Sequence, residues 1–181
     1  MEWFIPGTVL KADRAAAVDQ QFSAMFLGGG IVLSQVTAIT GLEAYAVQNW
    51  VKRGFLSPPE RKHYSLEQLC RIININMLKN VLPMERIVGL LSYINGDLDD
   101  ESDDIIDDAV LYFMFVRLAA QSRMMNTPQG RDECIAKELA DYREPVPGAK
   151  ERVEKVLTIM LTAWASAQLR LAAEQMLQEL N

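Results

Sequence analysis

The sequence predicts a mostly α-helical protein with at most a short β-hairpin, ending in one long helix. Three observations carry this expectation. Apolar residues fall at helical spacing in segments 13–27, 65–79, 83–94 and 109–120. Helix punctuation stands at the segment ends: Ser65 with Gln68 three residues on, Pro83, and the pair Asn95-Gly96. The run 149–180 reads as a single helix of about nine turns. With 181 residues, half of them apolar, the chain can bury an ample core as one large domain or two small ones.

Taken in order, residues 1–10 read as an extended lead turning at Pro6-Gly7. Segment 13–27 carries Val18, Phe22, Met25 and Phe26 on one helical face, and the triple glycine 28–30 follows as a flexible joint. No Gly-Lys-Ser/Thr sequel accompanies these glycines, so they do not form a phosphate loop. Ser34 is the expected N-cap of a short helix at 35–40, and Gly41 sits where the chain must leave that helix. A second helix then places Val47, Trp50 and Val51 on one face, toward Val36 and Ile39. Its opposite face shows Tyr45, Gln48, Asn49 and Lys52, and it ends at Arg53-Gly54. Pro58-Pro59 and the basic Arg61-Lys62-His63 supply a wing, expected as a short hairpin or loop.

From Ser65 a capped helix carries Leu66, Leu69, Ile72 and Ile73. Pro83, at the first-turn position, opens the next, with Met84, Ile87, Val88, Leu91 and Ile94 inward. Residues 97–108 hold eight acids and form a junction. Asp97, Asp99, Glu101, Asp103 and Asp108 fall roughly at calcium-loop spacing, but Ser102 stands where that loop needs glycine; the alternative is an acidic helix N-terminus. Segment 109–120 is apolar nearly all round except for Arg117, and should be central. Residues 126–130 read as a loop, 132–142 as a shorter helix, and 144–148, with Pro145 and Pro147, as a rigid connection. In the last helix Leu169, Met176, Leu177 and Leu180 either meet a second chain or fold back on the 109–120 segment.

Two helices about a glycine turn, with a polar outer face and a basic wing, suit a reader of duplex DNA. Tyr45, Gln48 and Asn49 would reach base edges, while Lys52, Arg53, Arg61, Lys62 and His63 would meet phosphates. The alternative is an αα-hairpin whose polar residues face water. Net charge is -6, yet residues 35–96 hold seven bases (Lys52, Arg53, Arg61, Lys62, Arg71, Lys79, Arg86) against four acids (Glu43, Glu60, Glu67, Glu85).

The runs Val36-Thr37-Ala38-Ile39-Thr40-Gly41-Leu42, Trp50-Val51-Lys52-Arg53-Gly54-Phe55-Leu56-Ser57-Pro58-Pro59 and His63-Tyr64-Ser65-Leu66-Glu67-Gln68-Leu69 resemble the N-terminal winged helix-turn-helix of MerR-type regulators. The segment 78–91 is similar to the helix pair that follows in that family. A nearer resemblance is to an uncharacterised bacterial family with a MerR-like front half and a helical rear half. Asn49 to Lys52, Ser57 to Pro59, Tyr64-Ser65 and Leu78-Lys79 carry it. The chain departs from the MerR pattern at Gln48, where that family usually has Arg, at Asn49, where it usually has an aromatic residue, and in a shorter wing. The resemblance implies three regions: a helical extension at 1–33, a MerR-like winged helix-turn-helix at 34–96, and a helical effector or dimerisation region at 97–181. It implies a cytoplasmic, homodimeric, sequence-specific transcriptional regulator of double-stranded DNA with room for a small-molecule effector. The rival readings are an interaction adaptor that keeps the winged fold without DNA, and a helical small-molecule binding protein.

Catalytic chemistry is sparse. His63 is the one histidine, with no metal-ligand neighbour; Cys70 should face the core and Cys134 should be partly exposed. Two distant cysteines point to reduced thiols, and no signal peptide or membrane-spanning helix is expected. No enzyme, metal or cofactor is expected. Met114, Met124, Met125, Met160, Met176, Tyr112, Phe113, Phe115 and Trp164 either line an apolar effector pocket or fill the rear core.

Overall fold

The chain's computed structural model describes residues 3–96, 98, 103–121 and 127–180. The elements run β1 (Trp3–Phe4), β2 (Lys11–Ala12), a 3-10 turn (Ala15–Ala17), α1 (Val18–Met25), β3 (Ile31–Val32), α2 (Leu33–Thr40), α3 (Ala44–Lys52), β4 (His63–Tyr64), α4 (Leu66–Leu78), α5 (Met84–Asn95), α6 (Asp108–Ala119), α7 (Pro128–Glu138) and α8 (Ala149–Gln178). The protein is mostly α-helical, with two small two-stranded antiparallel sheets among the described residues and a long last helix, as the sequence predicts.

The lead is doubled rather than simply extended. Trp3 pairs with Ala12 and Phe4 with Lys11, around the Pro6-Gly7 turn. That turn is fastened to the core from two sides. The Tyr112 hydroxyl donates to the Pro6 carbonyl at 2.8 Å, and Asn76 Nδ2 donates both to Gly7 O and to Thr40 O. Asn76 thereby also satisfies a carbonyl at the end of α2 that the helix leaves open.

α2 starts earlier than expected. Val32, not Ser34, is the N-cap, and the Gln35 side chain accepts from Val32 N–H at 2.9 Å. The chain enters the helix directly from β3, so the position a serine would cap is already helical. Gly41 closes α2 in the left-handed conformation, at φ 69°. Leu42 and Glu43 then lead into α3. Ser65 caps α4 as predicted: its Oγ accepts from Gln68 N–H, and Gln68 Oε1 accepts from Ser65 N–H. Pro83 is the N-cap of α5, one position ahead of the expected first turn. α7 begins at Pro128 rather than 132 and ends at Glu138. Thr127 caps it by accepting from Gly130 N–H, a Thr-Pro start that composition alone reads as loop.

α4 and α6 form the middle of one continuous core. α4 is buried on nearly all sides between α2, α5, α6 and α8, and α6 packs on α1, α4, α7 and α8. Tyr112, Met114, Phe115 and Met160 are core residues. Phe22, Tyr112 and Phe113 form a ring cluster, and Phe115 meets Trp164 edge-on at 6.1 Å between centroids. Met124 and Met125 lie outside the described residues. Cys70 faces the core as expected, but Cys134 is buried too, because it shares the inward face of α7 with Ile135.

α8 spans 30 residues, roughly 45 Å at helical rise. Val153, Val156, Leu157, Met160 and Leu161 are buried, whereas Leu169, Leu171, Met176, Leu177 and Leu180 are exposed. The fold-back alternative is therefore overturned: the late apolar residues cover nothing in their own chain. By length and composition α8 could cross a membrane, with a window of mean hydropathy 1.3, contrary to the sequence expectation. Only 28% of that window is buried, and the buried residues of α8 all lie in its first half.

Candidate nucleic-acid interface

The two faces of α3 separate as its spacing predicts. Val47 and Trp50 are buried, whereas Tyr45 is 73% exposed and Gln48, Asn49 and Lys52 face solvent. Trp50 is wedged beneath the helix, and its carbonyl accepts from Phe55 N–H, which starts the return of the chain. That return is fixed to α4. Gln68 Nε2 donates to Ser57 Oγ at 2.9 Å and to the Ser57 and Pro58 carbonyls, and Arg71 Nε donates to the Phe55 carbonyl at 3.0 Å.

The wing is a minimal hairpin. Glu60 bridges His63 across a two-residue tip, and His63 N–H donates to Glu60 O at 2.8 Å. Arg61 and Lys62 form the tip with φ of 47° and 68°, both left-handed. Two-residue hairpin tips call for positive φ at both positions, which Asn-Gly supplies without strain. Side chains with a Cβ pay roughly 1–2 kcal/mol each in this region. Basic residues held in a strained tip are the kind of local conflict that marks functional positions. His63 steadies the tip: a carbonyl can only accept, so Nδ1 carries the proton and donates to Arg61 O at 3.0 Å. β4 then pairs with β3, Ile31 opposite Tyr64 and Val32 opposite His63. Gly30 lies so close beneath that a Cβ there would sit 3.0 Å from His63 Cβ. The glycine joint is thus packed at this end.

Not every base counted in the sequence is available to an anionic partner. Arg71 is buried, and its Nη1 donates to Asp108 Oδ2 at 3.0 Å. Arg53 lies over the Phe55 ring at 4.4 Å and meets Glu85 at 3.4 Å, half-exposed. Arg61 faces Glu60 at 4.0 Å, with both side chains in water. Lys52 and Lys62 are exposed and have no ion-pair partner among the described residues. The basic surplus of residues 35–96 is therefore smaller on the surface than in the sequence.

A cleft of about 1300 Å³ opens on the inner side of the wing. Arg61 and His63 of the wing, the start of α4 with Arg71, and residues 104–108 with Asn95 and Arg143 line it. Asp107 caps α6, accepting from Ala109 and Val110 N–H. The Asp108 carboxyl is pushed up by burial, an effect that Arg71 opposes and does not cancel. The Asn74 amide favours the ionised form without completing a hydrogen bond. Burial, together with Asp108 and Asp103, raises Asp104 to about 6. The acidic helix start is thus seen at Asp107 and Asp108, while Asp97, Asp99 and Glu101 of the calcium spacing lie outside the described residues. Among the described residues no group of three or more His, Cys, Asp or Glu side chains could hold a metal. The acidic run was visible in the sequence as a junction; that its residues 104–108 line the same cleft as the wing was not, because that depends on α6 docking against α4.

Residues 30–115 match the family described as Domain of unknown function (DUF1836). Over 86 residues the chain is 33% identical to "Uncharacterized protein YkrK" of Bacillus subtilis (strain 168), across 45% of this chain and 37% of that protein. The chain thus matches little more than a third of the length of that relative. No solved structure matches it. The similarity to an uncharacterised bacterial family is borne out over this span. The family match begins at the packed Gly30 and runs into α6, so Arg71, Asp104 and Asp108 belong to the same matched unit as the wing.

Proposed function

We propose that this chain is a dimeric, sequence-specific DNA-binding transcriptional regulator of the cytoplasm, with a MerR-like winged helix-turn-helix. The observation that carries the reading is the wing tip, where Arg61 and Lys62 are held at positive φ beyond an α3 whose polar face is open. In a two-fold dimer, two copies of α3 would enter successive major grooves. Tyr45, Gln48 and Asn49 would meet base edges, and Lys52, Arg53, Arg61, Lys62 and His63 the phosphates on either side. The unpartnered end of α8 is the surface offered for the second copy. The cleft behind the wing is the place for a small-molecule effector.

A second reading, an interaction adaptor that keeps the winged fold without DNA, is favoured by one observation. Arg71, one of the seven bases of residues 35–96, is withdrawn into the core, so fewer bases face solvent than the sequence holds. Gel-shift selection of the purified protein on random duplexes at two salt concentrations separates the two readings. Enrichment of a sequence, with affinity falling as salt rises, supports the regulator. Absence of salt-sensitive binding to any duplex, with and without cell extract, supports the adaptor.

A further inference from the structure

Residues 5–10 make a turn that is tied to α4, to α6 and to the corner between α2 and α3. Gly7, at φ 74°, lies so close on α4 that a Cβ there would sit 2.8 Å from Ile73 Cγ2 and 2.9 Å from Ile73 O. Two side chains hold this seat: Tyr112 of α6 donates to Pro6 O, and Asn76 of α4 donates to Gly7 O. At its far end the turn reaches the α2–α3 corner. Val9 N–H donates to Ile39 O at 2.9 Å, and a Cβ on Gly41 would lie 2.9 Å from Val9 Cγ1. Asn76 joins the two ends, because its Nδ2 also donates to Thr40 O. Within the turn the Thr8 hydroxyl donates to Ile5 O and accepts from Leu10 N–H, so its shape is set locally.

The corner held in this way is the one from which α3 departs. The carbonyls of Ile39 and Thr40 belong to the last turn of α2, where the helix itself supplies no donors. The other end of α3 is held as well, since the Phe55 carbonyl, just beyond Gly54, accepts from Arg71 Nε. Arg71 is fixed by Asp108, which stands four residues before Tyr112 on the same side of α6. Both holds on α3 thus end one turn apart on a single helix. We infer that residues 5–10 are a clasp that sets the entry of α3, with Tyr112 and Asn76 as its positioning residues. The clasp lies outside the matched residues 30–115, yet both of its anchors lie inside them. Tyr112 is fully buried, so without the Pro6 carbonyl its hydroxyl would be a buried donor lacking that acceptor. A shift of α6 reaches the entry of α3 through Pro6 and its exit through Phe55. The consequence for DNA rests on the reading of α3 as the recognition helix; the clasp itself does not.

The test is amide hydrogen exchange of the full chain without DNA, read by NMR, for the parent, Tyr112→Phe and Gly7→Ala. Tyr112→Phe removes one hydroxyl and keeps the ring in its aromatic cluster, whereas Gly7→Ala unseats the turn from Ile73. Phe113→Leu loosens the same cluster without touching the clasp and serves as the control. Both clasp variants should speed exchange at Val9, Gly41 and Leu42 relative to the buried Val156 and Leu157 of α8. The expected factor is roughly threefold to tenfold, the loss that one neutral hydrogen bond carries. The inference is overturned if exchange quickens within the turn but not at Gly41 and Leu42, if it rises equally in α8, or if Phe113→Leu has the same effect. If Gly7→Ala fails to fold, Tyr112→Phe decides the matter alone. On a duplex that the parent selects, Tyr112→Phe should weaken binding by a similar factor and leave the salt slope unchanged, because no charge is lost. Unchanged affinity beside a loosened corner would overturn the positioning role. A parent that binds no duplex removes the regulator reading, and hydrogen exchange still decides the clasp.

Discussion

Arg71 Nη1 lies 3.0 Å from Asp108 Oδ2, joining the middle of α4 to the first turn of α6. The same guanidinium donates through Nε to the carbonyl of Phe55, at the start of the return toward the wing. One side chain therefore holds the wing's linker, the central helix of the front and the central helix of the rear. The Asp108 carboxyl stays above its ordinary value despite this partner, so desolvation outweighs the attraction.

Arg71→Ala should therefore destabilise the chain by about 3–5 kcal/mol, since it leaves a buried carboxylate alone. The double variant Arg71→Met with Asp108→Leu should recover most of that loss, because no charge then remains to be solvated. Urea denaturation of the two variants measures both effects. A loss well under 1 kcal/mol for Arg71→Ala would show that the pair does not couple the two halves.

Asp104 makes stability depend on pH in a defined direction. Its folded value is about 6, against 3.8 for the free group, so between these values the folded state holds the proton more tightly than the unfolded chain. Stability should then fall as pH rises through that window, and the penalty is fully present above it. Asp104→Asn removes the charge and should make the protein more stable at about pH 7.5, by on the order of 1 kcal/mol once solvent screening is allowed for. Near pH 4 the variant and the parent should converge. Parallel urea titrations at the two pH values check this, and an Asn variant less stable at the higher pH would contradict it.

What could be read from the sequence was what local chemistry decides. The Gly41 turn, the Ser65–Gln68 box, the buried Trp50 and the length of α8 all follow from spacing and capping, and all are found. The start of α7 was missed because Pro128 and Gly130 weigh toward loop, while the cap that overrides them is the single hydroxyl of Thr127. Arg71 was counted as surface charge because nothing near it in sequence reveals Asp108, 37 residues on, as its partner. The cleft stayed hidden for the same reason. Asn95 reads as a helix stop, and only the tertiary fold brings it together with residues 104–108 in the lining of one cleft.

The exposed end of α8 bears on assembly. Leu169, Met176, Leu177 and Leu180 are between 62% and 81% exposed, on a helix otherwise built around a buried stripe. Isolated apolar side chains on a surface need no explanation, but a run of them along one protruding helix does. Equilibrium sedimentation at tens of micromolar should therefore give about twice the chain mass of 20.4 kDa. Leu169→Glu with Met176→Glu should return the protein to the single-chain mass without loss of helix signal, because these side chains support nothing within one chain. A parent protein that sediments as a single chain removes the dimer.

The division of labour between α3 and the wing can be measured by comparing two substitutions. Lys62 sits at the hairpin tip with no ion-pair partner among the described residues, and Asn49 projects from the open face of α3. A lysine at a phosphate displaces counterions whatever the base sequence, so Lys62→Ala should weaken binding to all duplexes alike and lower the log–log salt slope by about one. Asn49→Ala should leave the salt slope unchanged and relax preference at one base step by about 1–3 kcal/mol. Lys62→Gly gives a control for backbone strain: glycine accepts the left-handed φ of 68°, so the tip keeps its shape while losing the charge. If Lys62→Gly binds as weakly as Lys62→Ala and both are folded, the charge at the tip is what matters. If Lys62→Gly binds as the parent does, the tip contributes shape alone and phosphate contact must be sought at Lys52 and Arg61. A variant pair that changes neither slope nor preference would take α3 and the wing out of the interface together.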